Sequence, residues 1–206
     1  VRLTREGYTV VCPDYRLVSQ SIFPACINDV KGVVRFLKAN GEKYHIDPER
    51  IGALGNSAGG CLASMLAFSS KCEALEGDVG GNLEYDSSIK AAAIFYAPAD
   101  LCQSIRTSAA ALSGPPKDLT GTEIENVKAN IIPALIVGYT GPGRSLHTLN
   151  QVLESNDPSH PDWHFIELTK LCSPITHVSA DCPPVVIFQG ARDQIVDPEQ
   201  SELLYH

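Results

Sequence analysis

A chain of 206 residues is long enough for one large domain or two small ones, and 44 % hydrophobic against 19 % charged residues is the composition of a globular protein with a substantial core. Its 24 acidic and 16 basic side chains leave a formal net charge of −8, with no basic stripe. Such a surface repels phosphate backbones and anionic lipid, so nucleic acid and membrane are excluded as expected partners.

The chain opens as the end of a helix with a stop at Gly7, then a β-rich run at 8–12 broken by Pro13-Asp14. Ile27, Val30, Val33, Val34 and Leu37 follow the spacing of an amphipathic helix, with Pro24 in its first turn and Gly41 at its end. Residues 47–50 read as a turn, 51–54 as a strand, and a helix starts at Ala58. Another buried strand is predicted at 89–96, ending at Pro98. The stretch 101–176 is rich in Pro, Gly, Ser and Thr. Pro133 inside its one apolar run argues against a central strand, so it reads as a helical and loop insertion. A strand at 185–188 and a helix at 198–205 close the chain. Strands alternating with helices predict the α/β class, a mostly parallel sheet with helices on both faces, in a single domain over 1–206. No run approaches the roughly 18 apolar residues that a membrane-spanning helix needs.

The seven cysteines are Cys12, Cys26, Cys61, Cys72, Cys102, Cys172 and Cys182. They are odd in number and form no C-x-x-C, which excludes a complete disulfide framework and disfavours a zinc site. Most read as buried small hydrophobes of a reducing compartment, hence a cytoplasmic location, with secretion and one Cys172–Cys182 bridge left open.

Between the strand at 51–54 and the following helix stands Gly55-Asn56-Ser57-Ala58-Gly59. G-x-S-x-G at a strand-to-helix turn is a nucleophile elbow. The turn is too sharp for side chains on its flanks, so both flanking positions are expected to need glycine. The serine is forced into a strained backbone that lifts its Oγ off the sheet edge. The helix that follows aims its first N–H groups at the same point, and the N–H of Ala58 is an oxyanion donor. A glycine-rich turn with an incidental serine would show the same letters; the strand before and the helix after favour the catalytic reading.

Asp193 follows the strand at 185–188 by a short loop. An acid there, downstream of the elbow, is where an α/β-hydrolase orients its histidine. Asp197 is a rival, but it precedes Pro198 and reads as a helix cap.

The stretches VVCPDYRL, FPACINDVKGVVRFLKAN, YHIDPERIGALGNSAGG, SPITHVSADCPPVVIFQGARDQIV and EQSELLY resemble the carboxylesterase branch of the α/β-hydrolases, the small acyl and feruloyl-type esterases related to hormone-sensitive lipase. The resemblance implies Ser57 as nucleophile, Asp193 as triad acid and the Ala58 N–H as oxyanion donor. It implies an ester hydrolase acting through an acyl-enzyme on short-chain acyl, carbohydrate or aryl esters, with no metal or organic cofactor. The family's His-Gly-Gly-Gly loop upstream of the DYRL motif is not found, and the triad histidine is expected beyond one more helix and strand after Asp193. His45, His147, His160, His164, His177 and His206 all fall elsewhere. The expectation is therefore a fragment truncated at both ends, whose unpaired strand edges would invite pairing with a second copy. A peptidase or amidase of the same fold, and a ligand-binding member that has lost catalysis, stay open as alternatives.

Overall fold

The structure, a computed structural model, describes residues 2–112 and 132–205. Three parallel strands, β1 (Gly52–Asn56), β2 (Ala91–Phe95) and β3 (Val185–Phe188), form one sheet in the order β1-β2-β3. The register sets Asn56 beside Phe95 and Phe95 beside Phe188, so the carboxyl ends of all three strands meet along one edge. Helices α1 (Ala25–Ala39) and α2 (Ala58–Phe68) pack together, and α2 lies along β1 and β2. On that face Ala92 and Ile94 are buried against Leu62, Met65 and Leu66 of α2 and Ile27, Val30 and Val34 of α1. The opposite face carries Leu54, Val186 and Phe188, at 60 %, 48 % and 48 % exposure.

The run at 8–12 forms no strand. Strand conformation is held by a partner, and among the described residues this run pairs with no strand; Tyr8, Val10 and Val11 are exposed. Consequently β1 is an edge strand among the described residues.

The buried stripe of α1 also differs from its apolar pattern. Val33 is only half-buried, while Lys31 and Arg35 are fully buried. Both cations reach Glu76 in the loop after α2.

After β2 come α3 (Leu101–Leu112), a helical turn at 132–136, α4 (Leu146–Ser155) and α5 (Trp163–Cys172). Asp100 caps α3 through the amides of Cys102 and Gln103, and Ser145 with Thr148 forms a capping box on α4. Pro133 stands in helical backbone and not on a strand. These helices share a second apolar cluster around Ile105, Val137, Leu149, Trp163 and Ile166, joined to the first through Ile136 and Leu168. Helix α6 (Glu199–Tyr205) ends the described chain.

Candidate active site

Ser57 sits between the last residue of β1 and the first of α2. Its backbone stands at φ 52, ψ −121, a region that non-glycine residues occupy only under constraint. Its amide donates to the Phe95 carbonyl at 2.9 Å, and its carbonyl accepts from Cys61 at 2.9 Å. One end of the turn is thus pinned to the sheet and the other to the helix. The side chain does not cap α2, and Ala58 opens that helix with its N–H among the groups that find no intrahelical acceptor.

The glycines divide differently from expectation. A Cβ at Gly55 would collide with the Gly59 carbonyl, and one at Gly60 would lie 2.9 Å from both the Ala97 Cβ and the Phe95 carbonyl oxygen. At Gly59 a Cβ meets nothing within 4 Å. The first turn of α2 therefore comes close to β1 at Gly55 and to the end of β2 at Gly60, and Gly55 and Gly60 are the positions that require glycine.

Asp193 lies in the loop after β3, at the same sheet edge as Ser57. One carboxylate oxygen, Oδ1, accepts from the amides of Ile195 at 2.9 Å and Val196 at 3.1 Å, which closes an Asx turn and fixes the side chain. The other, Oδ2, accepts from Nε2 of Gln189 at 3.3 Å. The rival Asp197 instead receives the Glu199 amide at 3.0 Å at the start of α6, a capping role.

Sequence reasoning missed the groups that hold this edge together. Gln189 follows β3, and its Oε1 accepts from Ser201 of α6 at 2.9 Å. The neighbouring Gln200 is buried, and its Oε1 accepts from the amides of Ala99 and Asp100, each at 2.8 Å. Helix α6 is thereby tied to the loops leaving both β2 and β3. Tyr96 leaves β2 at φ 38, and its Oη accepts from Nδ2 of Asn56 at 3.0 Å. For Gln189 and Tyr96 the only advance signal was their place at a strand end; Gln200, inside α6, had none.

Five histidines lie among the described residues, none of them bonded to Asp193. His45 ends a short helix in the left-handed region. His147 pairs with Gln151, His160 accepts from the Asp162 amide, and His164 lies against Phe165. His177 Nε2 meets the Leu171 carbonyl at 2.8 Å. His206 lies outside the described residues.

A parallel sheet with a strained serine at one strand exit and a turn-fixed aspartate at another is the α/β-hydrolase arrangement. The chain belongs to the BD-FAE family, whose pattern it matches over residues 1–140 and 159–206. Esterase LipQ of Mycobacterium tuberculosis is 27 % identical over 200 residues, covering 97 % of this chain and 38 % of the relative. Rabbit (Oryctolagus cuniculus) arylacetamide deacetylase is 45 % identical over 65 residues, covering 31 % of this chain and 16 % of the relative. Among solved structures, a truncated carbohydrate esterase from gut microbiota superposes with a TM-score of 0.67 at 27 % identity, covering 93 % of this chain and 58 % of that one. A bifunctional GH43-CE protein of Bacteroides eggerthii gives 0.69 at 26 % identity, over 99 % of this chain and 23 % of that one. The chain spans about two fifths of the length of the Mycobacterium relatives it matches from end to end.

Proposed function

We propose that this chain carries the nucleophile and the triad acid of a serine ester hydrolase. The observation that supports the reading above all others is the Ser57 backbone at φ 52, ψ −121, clamped between the Phe95 carbonyl and the first turn of α2. A serine with no catalytic duty has no reason to keep such strain.

The chemistry follows from the groups present. Ser57 Oγ attacks the ester carbonyl carbon while its proton passes to a histidine base. The developing oxyanion is met by the Ala58 N–H at the start of α2, where the helix dipole adds its positive end. Collapse expels the alcohol, which takes the proton from the imidazolium. Water, activated by the same imidazole, then attacks the acyl-enzyme and releases the carboxylic acid and free Ser57. Asp193 holds the imidazole tautomer and stabilises its charged form, and its own position is fixed by the Ile195 and Val196 amides. None of the five described histidines is placed to be the base, so the reading assigns that group outside the described residues. The substrate class is esters of short acyl groups, with carbohydrate or aryl alcohols; the deacetylase and carbohydrate-esterase relatives support it by resemblance.

The test is Ser57→Ala in the intact protein, assayed on p-nitrophenyl acetate and on acetylated sugars. Loss of about 10⁴-fold or more in kcat, with loss of covalent labelling by a fluorophosphonate, is expected. Unchanged turnover would remove Ser57 from the mechanism.

A further inference from the structure

Ser57 and Tyr96 face each other across the end of the sheet. Asn56 pairs with Phe95 in register, and one step further the Ser57 amide still donates to the Phe95 carbonyl at 2.9 Å. Both residues stand at positive φ, 52 for the serine and 38 for the tyrosine. For a bulky aromatic residue this is a genuine outlier, kept only where the surroundings enforce it. The Tyr96 amide is held by the Phe188 carbonyl at 2.8 Å, and its hydroxyl by Asn56 Nδ2 at 3.0 Å. The residue just before the candidate nucleophile is thus tied by its side chain to the residue opposite that nucleophile.

We propose that the Asn56–Tyr96 hydrogen bond is a cross-strand brace, and that Tyr96 is a positioning residue which holds Ser57 in its strained, reactive conformation. The inference rests on the reading of Ser57 as nucleophile. Gly55 and Gly60 let the helix come close enough to form the turn, but contact alone does not fix the rotation of the Asn56–Ser57 peptide. Among the described residues β1 has a strand neighbour on one side only, so that rotation is restrained from the β2 side. The restraint there consists of the Ser57 amide bond to Phe95 and the Asn56 side-chain bond to Tyr96. Without the second, relaxation of the Asn56 peptide moves the Ser57 Oγ away from the line of attack. A misplacement of this kind costs rate and leaves substrate binding intact.

The test uses the intact protein. Tyr96→Phe removes one hydroxyl and little else. Asn56→Leu removes the donor at nearly constant size. Asn56→Asp restores a bond of opposite polarity, with the tyrosine hydroxyl donating to the carboxylate. Three quantities are measured: the rate of Ser57 phosphonylation by a fluorophosphonate, kcat and KM on p-nitrophenyl acetate, and the melting temperature. Tyr96→Phe and Asn56→Leu should each slow phosphonylation and kcat by about five- to tenfold, the worth of one hydrogen bond. KM should stay within about twofold. The double variant should be no slower than either single one. Asn56→Asp should recover most of what Asn56→Leu loses, but not when Tyr96 is phenylalanine. If Asn56→Leu fails to fold, Tyr96→Phe and the aspartate pair decide alone. Wild-type phosphonylation by Tyr96→Phe overturns the brace, as does simple additivity of the two losses. Should Ser57→Ala abolish turnover while Tyr96→Phe has no effect, only the brace is lost; should Ser57→Ala remain active, the nucleophile assignment falls first.

Discussion

Gln189 spans the gap between Ser201 and Asp193: its carbonyl oxygen accepts from the serine hydroxyl at 2.9 Å, and its amide donates to Oδ2 of the aspartate at 3.3 Å. The same amide donates to the Val196 carbonyl at 3.2 Å, closing the loop on itself. Helix α6 therefore sets the orientation of the acid through one side chain. Gln189→Ala frees Oδ2 while leaving the Asx turn in place. The expected result is a loss of about tenfold or less in kcat, against roughly 10⁴-fold for Asp193→Asn, which alters the group proposed to orient the histidine itself. Steady-state kinetics on one p-nitrophenyl ester measure both. Equal losses would mean that Gln189 touches the chemistry directly.

Gly60 and Gly59 make a controlled pair. Alanine at 60 must displace Ala97 or the Phe95 carbonyl, and overpacking of this kind costs about 1–3 kcal/mol. Alanine at 59 meets open space in a helical turn and should stabilise by about 0.4–1 kcal/mol. Urea unfolding of the two variants gives the sign directly. A destabilised Gly59→Ala beside a neutral Gly60→Ala would reverse the account of the elbow.

All seven cysteines carry free thiols, so the Cys172–Cys182 bridge is not formed. Burial pushes the Cys61 thiol up to about 12, raises Cys102 to about 11 with help from Asp100, and lifts Cys172 well above its ordinary value. Thiolate, the reactive form, is therefore scarce at pH 8 for all three. Alkylation with N-ethylmaleimide followed by peptide mass analysis should leave Cys61, Cys102 and Cys172 unmodified in the native protein and modified in guanidinium. Rapid native labelling of Cys61 would contradict its packing against the core.

What the sequence disclosed, and what it hid, follows from the range of the forces involved. β2 and β3 were legible because an apolar run bounded by proline or glycine is a local signal. The elbow was legible because glycine spacing and serine sit within five residues. The run at 8–12 looked the same but is no strand, because pairing is decided by a neighbour that composition does not reveal. The apolar spacing of α1 carried no sign that Lys31 and Arg35 are buried, since their partner Glu76 stands 45 and 41 residues away. The Tyr96 and Gln189 side chains bond to residues away from them in sequence, Asn56 at 40 positions and Ser201 at 12, and no periodicity announces such pairs.

Glu76 holds two buried cations at once, and its loss should show both in stability and in its pH dependence. Lys31 Nζ donates to Glu76 Oε2 at 3.0 Å and to the Ser69 carbonyl at 2.7 Å. Arg35 donates to Glu76 Oε1 at 2.7 Å and to the carbonyls of Glu76, Val79 and Gly81. The side chains of Lys31 and Arg35 are 0 % and 1 % exposed and that of Glu76 is 30 % exposed. Removing the carboxylate charge leaves both cations with carbonyl oxygens alone. Glu76→Gln should therefore destabilise by about 2 kcal/mol at pH 7, less than the roughly 3–5 of a fully buried pair because solvent reaches the carboxylate. Partial burial pushes the Glu76 carboxyl upward, but the bonds from Ser87, Lys31 and Arg35 outweigh it and hold the group below its ordinary 4.5. The folded state then binds fewer protons than the unfolded chain. The contribution is fully present above pH 4.5 and fades as pH falls through the lowered folded value. The stability gap between wild type and Glu76→Gln, followed by urea unfolding from pH 7 to pH 3, should stay constant down to about 4.5 and then narrow. A gap that keeps its full size at pH 3 would mean that the charge of Glu76 is not what holds Lys31 and Arg35 inside.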